Sequence, residues 1–174
     1  MLTNKANVIY KSLLKLKKLK KIEKIGISIY DFENSIRILK KFNFDIIQCP
    51  YNVIDRRLDN SRYINFFKRK KIEIHVRSVF LQGLLLMKKR PSKFDKWSKL
   101  FKIWDKMNKN NILQSTLNAV NFVLKNKNIN KVILGFENSN QLKSILQNYQ
   151  NKKIDYPTNI VSKDLNLINP NNWN

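Results

Sequence analysis

The sequence predicts an α/β fold in which four parallel strands alternate with helices. Three observations carry this. Four short runs, KIGISIY, FDIIQC, IEIHVRSVF and KVILGF, are apolar and mostly β-branched. The segments around them place apolar residues at three- and four-residue steps with lysines between. The two kinds of segment alternate as α-β-α-β-α-β-α-β-α, the order of a parallel sheet covered by helices. Four such units make half of an eight-unit barrel or a small open sheet. The 174 residues suffice for one domain with a hydrophobic core.

Residues 8–23, VIYKSLLKLKKLKKIE, are predicted as the first helix, with Ile9, Leu13, Leu16 and Leu19 on one side. Residues 1–7 are expected to form a tail before it. Residues 24–30 read as the first strand. In residues 31–41, Asp31 is placed to cap a helix whose apolar side is Phe32, Ile36 and Leu39. Residues 44–49 form the second strand, stopped by Pro50. A helix over 60–70 leads into the third strand, IEIHVRSVF. Alternation places Ile72, Ile74 and Val76 on one face of it and Glu73, His75 and Arg77 on the other.

Residues 93–109 carry Phe94, Trp97, Leu100, Phe101, Trp104 and Met107 at helical spacing. Core packing explains that spacing; an aromatic and lysine surface for single-stranded nucleic acid is the alternative. Leu113, Leu117, Val120 and Leu124 mark another helix. Residues 131–136 form the fourth strand, and Gln141 to Tyr149 a final helix. Residues 157–174 are expected to be mostly irregular, anchored by Trp173, and the whole of 1–174 to be a single partial-barrel domain.

Composition narrows the function. Thirty-five Lys and Arg against twelve Asp and Glu leave a net charge of +23. Such a surface attracts nucleic acid and other polyanions. The basic residues are mostly lysine, among many Asn and Ile residues, a mixture that compositional drift also produces. Scattered arginines argue against base-specific readout, which leaves weak nonspecific nucleic-acid binding. The single cysteine, Cys49, excludes an intrachain disulfide, and with one histidine no zinc site is expected. No stretch approaches the roughly 20 apolar residues of a membrane span, and the start lacks a signal-peptide pattern, so a cytoplasmic protein is expected. Three glycines are few for a complete cofactor-dependent α/β enzyme.

Several residues invite a chemical reading. His75, the only histidine, lies inside a strand, where a hydrogen-bonded scaffold role competes with catalysis. Asp55, Arg56 and Arg57 follow the second strand and serve either to fix a loop by ion pairs or to touch a substrate anion. Cys49 ends an apolar strand, as buried thiols commonly do. Ser78, Gly83, Lys88 and Lys89 form a loose phosphate-cradle pattern.

Taken in order, KIGISIYDF, DIIQCPYNVIDRR, IEIHVRSVFLQGLLL and VILGFENSNQLKSIL resemble the aldo/keto reductase family. The closing LINPNNW is similar to the branch associated with surface-sugar biosynthesis. The resemblance runs from about residue 8 to the end and implies units 5 to 8 of a (β/α)8 TIM barrel. It further implies NAD or NADP as cofactor, held in extended form at the strand ends. Ser28 and Gln48 match residues that contact the nicotinamide carboxamide, and Ile29 stands where many members have an asparagine. Tyr51 falls near the nicotinamide. Ser78 matches the start of a pyrophosphate loop, Gly135 and Ser139 the loop after strand 8, and Gln141 a position beside adenosine. Glu137 stands near a position often basic in NADPH users, which favours NAD.

The family's catalytic tyrosine, lysine, aspartate and histidine come from strands 2 to 4, and no residue here matches them. The expectation is therefore an aldo/keto-reductase-like oxidoreductase half, inactive alone, whose parent reaction is NAD(P)H-dependent reduction of an aldehyde or ketone. Its expected partners are a separately encoded N-terminal half-barrel or a second copy, joined through open sheet edges. The alternative is a nonenzymatic basic module that binds nucleic acid or another polyanion.

Overall fold

The computed structural model describes residues 4–173. Four parallel strands form one sheet in chain order: β1 (Gly26–Ser28), β2 (Ile46–Pro50), β3 (Glu73–Arg77) and β4 (Lys131–Val132). The helices are α1 (Asn4–Lys18), α2 (Phe32–Lys41), α3 (Ser61–Arg69), α4 (Ser98–Met107), α5 (Ile112–Leu124), α6 (Ser139–Asn148) and α7 (Leu165–Ile168). This is half of a (β/α)8 barrel.

Strand alternation decides what the sheet buries. Ile47, Cys49, Ile74 and Val76 point to the helical layer and are buried. There they meet Phe32, Ile36 and Leu39 of α2 and Phe67 of α3. The opposite face carries Ser28, Gln48 and His75, which stand side by side in register with Lys131. Trp104 of α4 is fully buried, and its indole nitrogen donates to the Leu85 carbonyl at 2.9 Å.

Asp31 caps α2 by accepting from the Asn34 amide at 3.0 Å. Asn60, Asn111 and Asn138 cap α3, α5 and α6 in the same way. The stops were harder to foresee. α1 starts at Asn4 and ends at Lys18, earlier at both ends than its periodicity suggests. Lys20 adopts φ 56°, with Lys21 N–H bonded to the Leu16 carbonyl and Lys20 N–H to Lys17. This is the left-handed cap usually given to glycine. Lys71 after α3 and Lys109 after α4 repeat it.

β4 is two residues long where six were expected. Ser78 takes φ 58° and turns the chain away after Arg77, so β4 loses its neighbour beyond Val132. Only the Ile133 N–H still reaches the Val76 carbonyl, at 2.8 Å. Pro50 belongs to β2 as its last residue. Residues 92–97 form a 3-10 helix before α4. Past 157 the chain makes short helical turns, and Trp173 packs edge-on against Phe94 with ring centroids 4.9 Å apart.

Candidate functional site: a groove at the strand ends

The loop after β3 is built from positive φ values at Ser78, Leu81, Gln82 and Gly83. Its backbone closes on itself through Leu81 N–H to Ser78 O and Leu85 N–H to Phe80 O. The Asn52 side chain, from the loop after β2, donates to the Ser78 carbonyl at 3.0 Å and ties the two loops together. Across from this turn, the chain leaving β4 runs through Gly135 into α6. Between the two lies a groove of about 810 Å³.

Ser78, Gly135 and Gln141, three of the residues expected to hold a cofactor, line this groove. Ser139 opens α6 between two lining residues, Asn138 and Asn140, without lining the groove itself. Glu137 and Gln141 lock together: the Glu137 amide donates to the Gln141 side-chain oxygen at 3.0 Å, and Gln141 Nε2 lies 3.4 Å from Glu137 Oε2. The start of α6 also directs backbone N–H groups toward the groove's end, where negative charge is favoured. No protein atom lies within 4 Å of where a side chain on Gly135 would begin.

Ser28 and Gln48 sit outside the groove, at the other end of the open sheet face. They are register partners, and Ser28 Oγ donates to Gln48 Oε1 at 3.3 Å. Arg77, whose site role the sequence did not single out, joins the two parts. It lines the groove, donates to Ser78 Oγ at 3.1 Å and reaches toward the Ile29 carbonyl at 3.4 Å. Its guanidinium lies over the Tyr30 ring, 4.1 Å from the centroid. The available signal was its place at the C-terminal end of the strand, on the same face as His75.

Tyr51 is placed away from this face. Its ring stacks on Phe122 at 5.1 Å, and its hydroxyl donates to Asp59 at 2.7 Å. Burial pushes the phenol up, and the Asp59 carboxylate adds to this. Asp55 is fully buried, and its carboxylate accepts from Arg57 Nε at 2.8 Å and Nη2 at 2.7 Å. Arg57 also donates to the Tyr30 carbonyl at 2.8 Å, while Arg56 holds the Val53 and Pro157 carbonyls. The charged triplet therefore fixes the loop after β2. His75 Nε2 lies 3.3 Å from Glu73, whose carboxylate is held low by its bond to Lys24. Lys88 and Lys89 are exposed and stand outside the groove lining. Among the described residues, no group of three or more His, Cys, Asp or Glu side chains is placed to hold a metal ion.

The groove's titratable side chains are Arg77 and Glu137. A cation near the turn and an anion near the helix suit an elongated ligand with an anionic middle and a hydroxylated end. They do not supply an acid poised to protonate a carbonyl oxygen.

The model of the aldo/keto reductase family matches residues 4–161. The chain belongs to this family. Among solved structures, the apo form of aldo-keto reductase AKR11C1 from Bacillus halodurans is similar with a TM-score of 0.64 at 18% identity. That match covers 87% of this chain and 53% of the other. The holo form of the same protein gives 0.64 at 18%, with 89% and 57% covered. The chain thus spans about half the length of the aldo/keto reductase structures it matches. No curated protein matches the sequence. Among the described residues, no helix is long and apolar enough to cross a membrane.

Proposed function

We propose that this chain is the dinucleotide-binding half of an aldo/keto reductase. The observation that carries the reading is the groove itself, which brings Ser78, Gly135 and Gln141 together from segments more than fifty residues apart. Its volume of about 810 Å³ lies in the range of small-molecule and cofactor sites.

The residues present fit a nicotinamide dinucleotide. Ser78, Arg77 and the α6 amides would hold the pyrophosphate. Gln141 and Glu137 would face the adenosine end, and Ser28 with Gln48 the carboxamide. Glu137 accepts hydrogen bonds from ribose hydroxyls and repels a phosphate ester in their place, so NADH is the preferred form. When bound, the nicotinamide supplies hydride to a carbonyl carbon. The chain's own residues bind and orient; the proton donor for the developing alkoxide would come from the family's other half. The parent reaction is reduction of an aldehyde or ketone. The LINPNNW ending and the order of the sequence blocks support a sugar-derived substrate.

Titration calorimetry with NADH and NADPH tests this. Binding of NADH with roughly tenfold preference over NADPH, reversed in Glu137→Lys, is expected. The same preparation is expected to show no turnover of an aldehyde panel. Failure to bind either nucleotide, or sustained aldehyde reduction by the isolated chain, would overturn the reading.

A further inference from the structure

The apolar residues left uncovered are not spread evenly. Five belong to or directly follow α1: Val8, Ile9, Leu14, Leu16 and Leu19. Ile133, Leu142 and Leu146 form a second group on the segment from β4 through α6. Between these groups, α2, β2, α3 and β3 expose no large hydrophobic side chain. The uncovered surface therefore sits on the helix that precedes the first edge strand and the helix that follows the last one. No residue of α1 from Lys5 onward is buried. Tyr10 and Lys17 anchor the helix on Asn43 and Asp45, and most of its apolar residues face outward.

The sheet tells the same story. β1 and β4 each have one neighbour among the described residues, so each presents an unpaired edge. All the pairings are parallel. Placing the free edge of β4 against the free edge of β1 from another copy continues that direction. A two-fold axis then makes the same contact twice and closes the ring at eight strands.

Charge selects where the copies meet. α1 carries Lys5, Lys11, Lys15, Lys17 and Lys18. α5 has no charged residue, and α6 has only Lys143. Meeting through the α1 flank on one side and the α5–α6 flank on the other sets lysines against Asn, Gln and Ser rather than against more lysine. The remaining cost is the long-range repulsion of two chains of +23 each, which salt screens.

We propose that two copies of this chain associate through these flanks into a two-fold, eight-stranded closed sheet. The proposal is independent of the nucleotide reading. It carries a signature opposite to polyanion binding: added salt strengthens association.

Sedimentation equilibrium on the full chain, purified free of nucleic acid, tests it at about 0.03 M and about 0.3 M salt. A particle of twice the 20.8 kDa chain mass is expected at the higher salt, with association roughly tenfold weaker at the lower. Leu16→Asp and Leu146→Asp change exposed positions and are expected to leave a monomer with an unchanged circular dichroism spectrum. A monomer at both salts would overturn the proposal, and would leave these faces to a different half-barrel or to residues beyond the ends of this chain. A dimer that weakens with added salt, or one unaffected by both variants, would overturn it as well.

Discussion

At the scale of single residues, three lysines occupy backbone positions that suit glycine. Lys20, Lys71 and Lys109 sit at φ 54–56° just past helix ends. A side chain in the left-handed region costs about 1 kcal/mol. Lys71→Gly is therefore expected to stabilise the fold by up to about that amount, read as a higher urea midpoint with an unchanged slope. An unchanged or lower midpoint would contradict the assignment. Cys49 supplies a second residue-scale test. It is fully buried, and burial pushes its thiol up to about 12. It is expected to resist thiol reagents in the folded protein and to react on unfolding. Labelling at the rate of a free thiol under native conditions would contradict its placement.

These residues also show what could be read in advance. Helix starts were legible because Asp31 signals its own cap chemically. The stops were not, because nothing in a lysine-rich run distinguishes a lysine at a left-handed cap from one on a helix face. Tyr51 shows a different limit. Its proximity in sequence to the strand end suggested a role at the site, and only the packing against Phe122 and Asp59 shows which way its side chain turns.

At the scale of elements, α1 depends on few contacts. Lys17 Nζ lies 2.6 Å from the Asp45 carboxylate, which also accepts from the Ile25 amide at 2.8 Å. Partial burial alone would raise the Asp45 carboxyl, but Lys17 and the Ile25 amide outweigh it and hold the group below its ordinary value. A carboxylate lowered on folding contributes stability that is present above its unfolded value and lost as pH falls through its folded one. Acidification through that window is expected to loosen α1 before the sheet. Asp45→Asn should reproduce the effect at neutral pH as faster amide exchange in α1, with β2 and β3 unchanged. Uniform acceleration across the sheet, or none in α1, would count against this hierarchy.

The strands show how element reading succeeded and where it fell short. The alternation of Ile74 and Val76 against His75 and Arg77 was visible in sequence and matches the burial in β3. The brevity of β4 was not. KVILGF reads as a six-residue strand, but its only neighbour ends at Arg77, and a strand pairs no further than its partner extends.

At the scale of the whole molecule, the four-unit parallel order was legible because amphipathic helices alternate with apolar strands, and the family's sequence blocks follow in order. The groove was legible only in part. Ser78, Gly135 and Gln141 line it, while Ser28 and Gln48 lie apart, and the bridge made by Arg77 depends on a guanidinium reaching across to Tyr30. Neither the resemblance nor strand alternation alone specifies that reach. The central claim is that this groove takes a nicotinamide dinucleotide. Amide chemical shifts of the full chain, followed by NMR through an NADH titration, test it most directly. Saturable shifts centred on Ser78, Gly135 and Gln141, with Gln48 moving in step, are expected. Shifts confined to the lysines of α1, or none at NADH concentrations of several millimolar, beyond about 4 kcal/mol of binding, would contradict it.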